Sequence, residues 1–216
     1  MRERFDEQLS LMNRELIQMG ALCEEAISLA SKALEESGRE HAERTAAIAG
    51  EIDQMERDIE SLCLKLLLQQ QPVARDLRKI SAALKIITDM ERIGDQAEDI
   101  AEIILVMIKD GYTAGGLDHI QEMAAAASKM VTESIDAYVA RDVEVARAVI
   151  AYDDVLDDYF RRIRRSIIKK IAREPSEGEC ALDFMMIDKY LERIGDHAVN
   201  IAEWVIFSVT GEKSRG

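Results

Sequence analysis

Residues 90–102 read MERIGDQAEDIAE, and residues 191–203 read LERIGDHAVNIAE. Nine of the thirteen positions are identical, and the second stretch begins 101 residues after the first. At about 100° per residue, each copy divides into two faces of a helix. With Glu91 at zero, Asp95 falls at about +40°, Glu98 at about −20° and Glu102 at about +20°. These four carboxylates share one stripe. Opposite them, Ile86, Met90, Ile93, Ala97, Ile100, Ile104 and Met107 recur at 3-4 spacing, the pattern of a helix face that packs into a core. The second copy repeats that seam with Ile187, Leu191, Ile194, Ala198, Ile201 and Val205. Its stripe is Glu192, Asp196 and Glu203, with Val199 where the first copy has Glu98.

Outward from these helices the chain is sparsely punctuated. Helical spacing runs over 5–36 to Ser37-Gly38, over 40–70 to Pro72, and over 75–110 to the GYTAGG turn at 111–116. It resumes over 118–140, over 142–173 with Asp142 as N-cap, and over 180–210 after EPSEGE. No stretch shows sustained strand alternation. At the offset of 101, Asp53 falls on Asp154, Met55 on Leu156, Ile59 on Phe160 and Leu66 on Ile167. Long helices joined by short turns pack as antiparallel neighbours. The expected fold is therefore all-α: two tandem, internally repeated three-helix bundles, at 1–112 and 117–216.

Composition agrees. Of 216 residues, 48% are hydrophobic but only 5% aromatic, with two prolines, a profile that favours helices. The net charge of −14 opposes general binding to nucleic acid. Cys23, Cys63 and Cys180 are odd in number and form no C-x-x-C pair, so they read as small buried hydrophobes of a reducing cytosol. The N-terminal residues lack the apolar core of a secretory signal, and the longest apolar runs are too short to span a bilayer. A cytoplasmic location is expected.

The acidic stripe carries two costs. Like charges at i,i+4 destabilise a helix by about 0.2–0.5 kcal/mol per pair, and no Lys or Arg lies within the stripe to relieve them. Arg92 and Arg193 stand about 100° round. Gly94 and Gly195 sit mid-helix, each at a cost of roughly 0.5–1 kcal/mol against Ala, on the shoulder of the stripe. A missing side chain there lets another helix or a ligand come close. Paired costs written twice point to a cation site. Carboxylate oxygens suit Mg²⁺, Mn²⁺, Ca²⁺ or iron, and the preceding helix offers further ligands: Asp53 and Glu56 in one half, Asp154 and Asp157 in the other, with Asp153 and Asp158 nearby.

The stretches ERIGDQAEDIA, ERIGDHAVNIAEWV, VTGE (209–212) and QPVARDLR (71–78) together resemble the PhoU family of phosphate-uptake regulators. The resemblance covers nearly the whole chain, with both repeats in order. It implies a pair of three-helix bundles and E/D-x-x-x-D motifs that carry multinuclear metal sites, iron or zinc among others. Residue by residue it implies Glu91 and Asp95 in one half and Glu192 and Asp196 in the other, with Asp99 and Asn200 one turn on as flanking ligands. Val199, and the lack of a second ARDLR, imply two unequal sites. The resemblance further implies a homodimeric regulator without catalytic activity. Its partners would be the ATPase subunit of the phosphate ABC transporter and the sensor histidine kinase of the phosphate regulon, and it would restrain both when phosphate is plentiful.

Three other readings stand beside this one. The stripe is a solvated face, or the protein is a metal-free scaffold, or it is a di-iron enzyme. The last needs Glu-x-x-His motifs, which the chain lacks. His197 lies about 140° from Glu192, where a packing or hydrogen-bonding role is expected. His41 and His119 fall at helix starts. The basic run RRIRRSIIKKIAR (161–173) reads either as a solvated face balanced by the acids at 153–158 or as a docking surface for acidic partners.

Overall fold

The structure, a computed structural model, describes residues 2–69, 72–111 and 119–212. Six long helices account for nearly all of them: α1 (Arg2–Glu36), α2 (Arg39–Gln69), α3 (Ala74–Lys109), α4 (Ile120–Ala140), α5 (Val143–Arg173) and α6 (Gly178–Thr210), with a 3₁₀ turn at Pro175–Glu177. No strand occurs among the described residues. Asp142 caps α5 as expected, its Oδ1 accepting from the Glu144 and Val145 N–H groups at 2.9 and 3.1 Å. Most of the GYTAGG turn lies outside the described residues.

Helices α1, α2 and α3 pack together, as do α4, α5 and α6; α3 meets α6 and α1 meets α4 across the join. Asp89 reaches His197 and Asn200 across the α3–α6 seam, while Asp99 lies beside the Tyr190 hydroxyl, whose interaction favours its charged form. At the offset of 101, Asp89 corresponds to Tyr190 and Asp99 to Asn200. Each helix thus meets its own counterpart running the opposite way, which relates the halves by an approximate two-fold axis. The apolar seams of α3 and α6 are buried as expected, Met90, Ile93, Ala97 and Ile104 among them. Facing α1 and α4, these seams turn both acidic stripes to the opposite, outer face. Cys23 and Cys63 are buried free thiols, and Cys23 donates to the Met90 carbonyl at 3.4 Å.

The helix glycines are notches for a neighbouring helix. A Cβ on Gly94 would lie 3.1 Å from Ile52 Cδ1 of α2, and one on Gly195 would lie 2.1 Å from Leu156 Cδ2 of α5. Ile52 and Leu156 are therefore equivalent, which makes the offset between α2 and α5 104 positions, not 101. Burial agrees: Ala42, Ile52, Ile59 and Cys63 match Ala146, Leu156, Ile163 and Ile167 at that offset. The counterpart of Asp53 is thus Asp157, and the sequence alignment with Asp154 is corrected by one helical turn. The joint between notch and knob is simply three residues shorter in the second half.

The notches give a stability prediction. Gly94→Leu and Gly195→Leu should each destabilise by about 2–3 kcal/mol, because α2 or α5 must be pushed off its partner. Gly50→Ala, with nothing within 4 Å of the added Cβ, should stabilise by roughly 0.5–1 kcal/mol through helix propensity. Urea unfolding of the three variants checks both signs.

Candidate metal centre

The α2–α3 groove assembles the site. Gly94 admits Ile52, and the next residue of α2, Asp53, is thereby set against the acidic stripe of α3. Asp53, Glu91 and Asp95 each present a carboxylate oxygen, all within 4.8 Å of one another, and all three side chains are half-buried. Oxygens bound to one hard cation at about 2.0–2.6 Å stand no more than about 5 Å apart even when opposite. The three carboxylates therefore fit a single Mg²⁺, Mn²⁺, Ca²⁺ or iron ion without rearrangement of the helices.

Electrostatics mark the same place. Burial raises the Glu91 pKa above the usual carboxylate range, and Asp95 adds to the rise. Glu56 is raised by burial, then by Glu60 and Asp53. Glu98 is raised by burial, then by Glu102 and Asp95. Two cations reach the group, Arg57 lying 3.8 Å from Asp53 Oδ2 on α2 and Arg92 covering the other two acids. Arg92 Nε lies 3.3 Å from Glu91 Oε2, and its guanidinium donates to Asp95 Oδ2 at 2.9 Å. The helical wheel set Arg92 apart from the stripe, but its long stem folds back over it. That correction could have been read from the i,i+3 spacing of Arg92 and Asp95.

The remaining predicted residues scatter. Glu102 is exposed on the next turn, and Glu98 and Glu56 border the three convergent acids without joining them. Asp99 and Asn200 lie at the α3–α6 seam and are not among the three convergent acids, Asn200 donating to Asp89 Oδ1 at 3.0 Å. His197 has the hydrogen-bonding role expected, 2.9 Å from Asp89. Glu203 lines a cavity of about 320 Å³ with Lys85, Asp89 and Trp204, away from the cluster.

The second half is built differently. Asp157, Glu192 and Asp196 occupy the equivalent positions, yet among the described residues only the first half brings three acids together. Lys189, one turn before Glu192, forms an ion pair with it. Asp157 pairs with Arg161 at 3.5 Å. Asp153, on the α6 side of α5, is raised by burial and then by Asp196, while Asp154 is exposed. The basic run is partly balanced by these acids, Arg161 and Arg162 both reaching Asp158. Asp188 went unmarked in the sequence, although its counterpart is the core residue Ile87. It is fully buried, both carboxylate oxygens lack a hydrogen-bond partner among the described residues, and burial, with Glu192 nearby, pushes its pKa up to about 8.

The PhoU domain model matches the chain twice, at residues 16–104 and 120–205. A protein of Pseudomonas aeruginosa named phosphate-specific transport system accessory protein PhoU homolog is 33% identical over 99% of this chain and 88% of its own length. A Clostridium acetobutylicum protein of the same name is 34% identical over 98% of this chain and 97% of its own. The crystal structure of PhoU from Pseudomonas aeruginosa superposes with a TM-score of 0.92, covering 96% of this chain and all of that one at 33% identity. That of the phosphate transport system regulatory protein PhoU from Streptococcus pneumoniae gives 0.89 at 25% identity, covering 98% of this chain and 99% of that one. Among the described residues no helix is long and apolar enough to cross a membrane.

Proposed function

The chain belongs to the PhoU family, and from that premise we propose that it is a regulator of phosphate transport that binds a metal ion and acts by docking. It works in the cytoplasm as a homodimer, between the ATPase subunit of the phosphate ABC transporter and the phosphate-sensing histidine kinase. It restrains both when phosphate is plentiful. The observation that carries the metal reading is the convergence of Asp53, Glu91 and Asp95 from two helices on an outward face. These three residues would hold the ion, a divalent or trivalent cation that accepts carboxylate oxygens, such as iron, manganese, magnesium or zinc. A cation bound there would neutralise the three carboxylates and would attract an oxygen ligand from a partner. The chain's own part is to hold α2 on α3 through the Ile52–Gly94 contact, and to release Arg92 from the carboxylates it otherwise neutralises. The protein has no turnover of its own in this reading.

A metal-free adaptor is the second reading, and one observation favours it: arginines already pair with all three acids, Arg92 with Glu91 and Asp95 and Arg57 with Asp53. Genetics and capture separate the two. Deleting the gene should switch on phosphate-starvation genes and uptake in high phosphate, and wild-type protein should restore repression. Glu91→Gln with Asp95→Asn should restore it only in part, and should capture less transporter ATPase and kinase from phosphate-replete cells. Repression that persists in the deletion strain sinks the regulatory role. Full rescue by the double variant leaves the adaptor and removes the metal.

A further inference from the structure

In a chain of net charge −14, two cations line one cavity without a direct ion pair to an acid among the described residues. Lys79 of α3 and Arg141, at the end of α4, line a cavity of about 280 Å³ with Asn13 of α1, Tyr138 of α4 and Ser208 of α6. Neither cation has a hydrogen bond or ion pair among the described residues. Arg141 is fixed there by the chain: it ends α4 in the left-handed region at φ 56°, its N–H held by the Ala137 and Tyr138 carbonyls. The adjacent carboxylate, Asp142, is spent on capping α5. Burial, with Arg141 and then Arg75 close by, lowers the Lys79 pKa, and Asp76 and Asp6 offset this only in part.

The cavity offers more hydrogen-bond donors than acceptors. Tyr138 donates its hydroxyl proton to Asn13 Oδ1 at 2.8 Å, which leaves the Asn13 amide N–H groups without a recorded partner. Ser208 donates to the Val205 carbonyl at 2.8 Å, so its oxygen is left as an acceptor. Ammonium, guanidinium and amide donors suit a tetrahedral oxyanion, the guanidinium offering two parallel N–H groups. The two hydroxyl oxygens suit the remaining proton of monohydrogen phosphate. The volume lies below the range usual for drug-sized ligands, about 300–1,000 Å³.

We infer that this cavity binds a small free oxyanion of the phosphate class, held between Lys79 and Arg141 where the two halves of the molecule meet. The site is separate from the metal centre and does not rest on it. Because its walls come from both halves, occupancy tightens the α1–α4 and α3–α6 contacts together. A phosphate of a lipid headgroup shares the chemistry, but the strong negative charge of the chain opposes an anionic bilayer, so the free ion is the occupant.

The test is calorimetric titration of the full chain with inorganic phosphate, in metal-depleted buffer at constant ionic strength, with chloride as reference. Saturable binding is expected. Losing one charge-assisted contact should weaken it by roughly tenfold or more, so Lys79→Met and Arg141→Gln should each show that loss. Lys109→Met, at the opposite end of α3 from Lys79, should bind as wild type. Thermal melts with and without phosphate give a second readout: wild type should melt higher with phosphate, and the two variants should lose that rise. No saturable binding at millimolar phosphate overturns the site, as does unchanged affinity in both variants. So would binding to vesicles of anionic lipid without any response to free phosphate.

Discussion

Glu91→Gln with Asp95→Asn should remove the metal-dependent stability of the protein. A cation at about 100 times its dissociation constant adds roughly 2.7 kcal/mol to the folded state, worth about 5–10 °C in melting temperature for a chain of this size. The double variant should show none of that gain while folding normally without metal. Its metal-free stability should stay within about 1 kcal/mol of wild type, since the lost repulsion among acids is balanced by the lost surface pairing of Arg92. The pH dependence has a definite sign. Glu91 and Glu98 have folded pKa values raised by burial and by neighbouring acids. Their protonated forms are thus favoured in the folded state, and that contribution is lost as pH rises through the raised values. Metal-free wild type should therefore weaken with rising pH over the carboxylate range, and added metal should reverse the trend. Glu192→Gln with Asp196→Asn should cost less metal binding, because Lys189 already pairs with Glu192. Equal metal content and equal melting with and without chelator in the Glu91/Asp95 variant would reduce the stripe to a solvated face.

Asp188→Ile should stabilise the protein by about 2–3 kcal/mol in mild alkali, from removal of a buried unbonded carboxyl group and the gain of apolar packing. The same position in the first half is Ile87, 1% exposed, so the fold already accommodates isoleucine there. The folded pKa of Asp188 stands at about 8 against an ordinary 3.8. Between those values the folded protein keeps a proton that the unfolded chain releases, so stability falls as pH rises, by up to about 1.4 kcal/mol per unit. Glu192, one turn on, strengthens this effect, and the Lys189 ammonium opposes it. The gain from Asp188→Ile should therefore be larger at pH 9 than at pH 5, read from urea midpoints at both. A variant that destabilises equally at both would show that the carboxyl group has a partner within the core.

The sequence by itself determined what a single helix can express. The 3-4 seam through Ile86, Met90, Ile93 and Ala97, the stripe of Glu91 and Asp95, the Asp142 cap and the duplication are all written in local periodicity and local hydrogen bonding. The seam was legible because burial repeats with the turn of the helix, whichever neighbour does the burying. The tertiary structure alone decided which acids meet. Asp53 joins Glu91 and Asp95 because Ile52 drops into the Gly94 notch, and Asp157 replaces Asp154 as its counterpart because Leu156 finds Gly195. The register between two helices depends on knob, notch and joint length together, and no one segment holds all three. Side-chain reach completed the difference. Arg92 and Lys189 lie close enough along their helices to fold onto carboxylates, and Asp99 and Asn200 turn to the seam because the opposing half, not their own helix, supplies the partners.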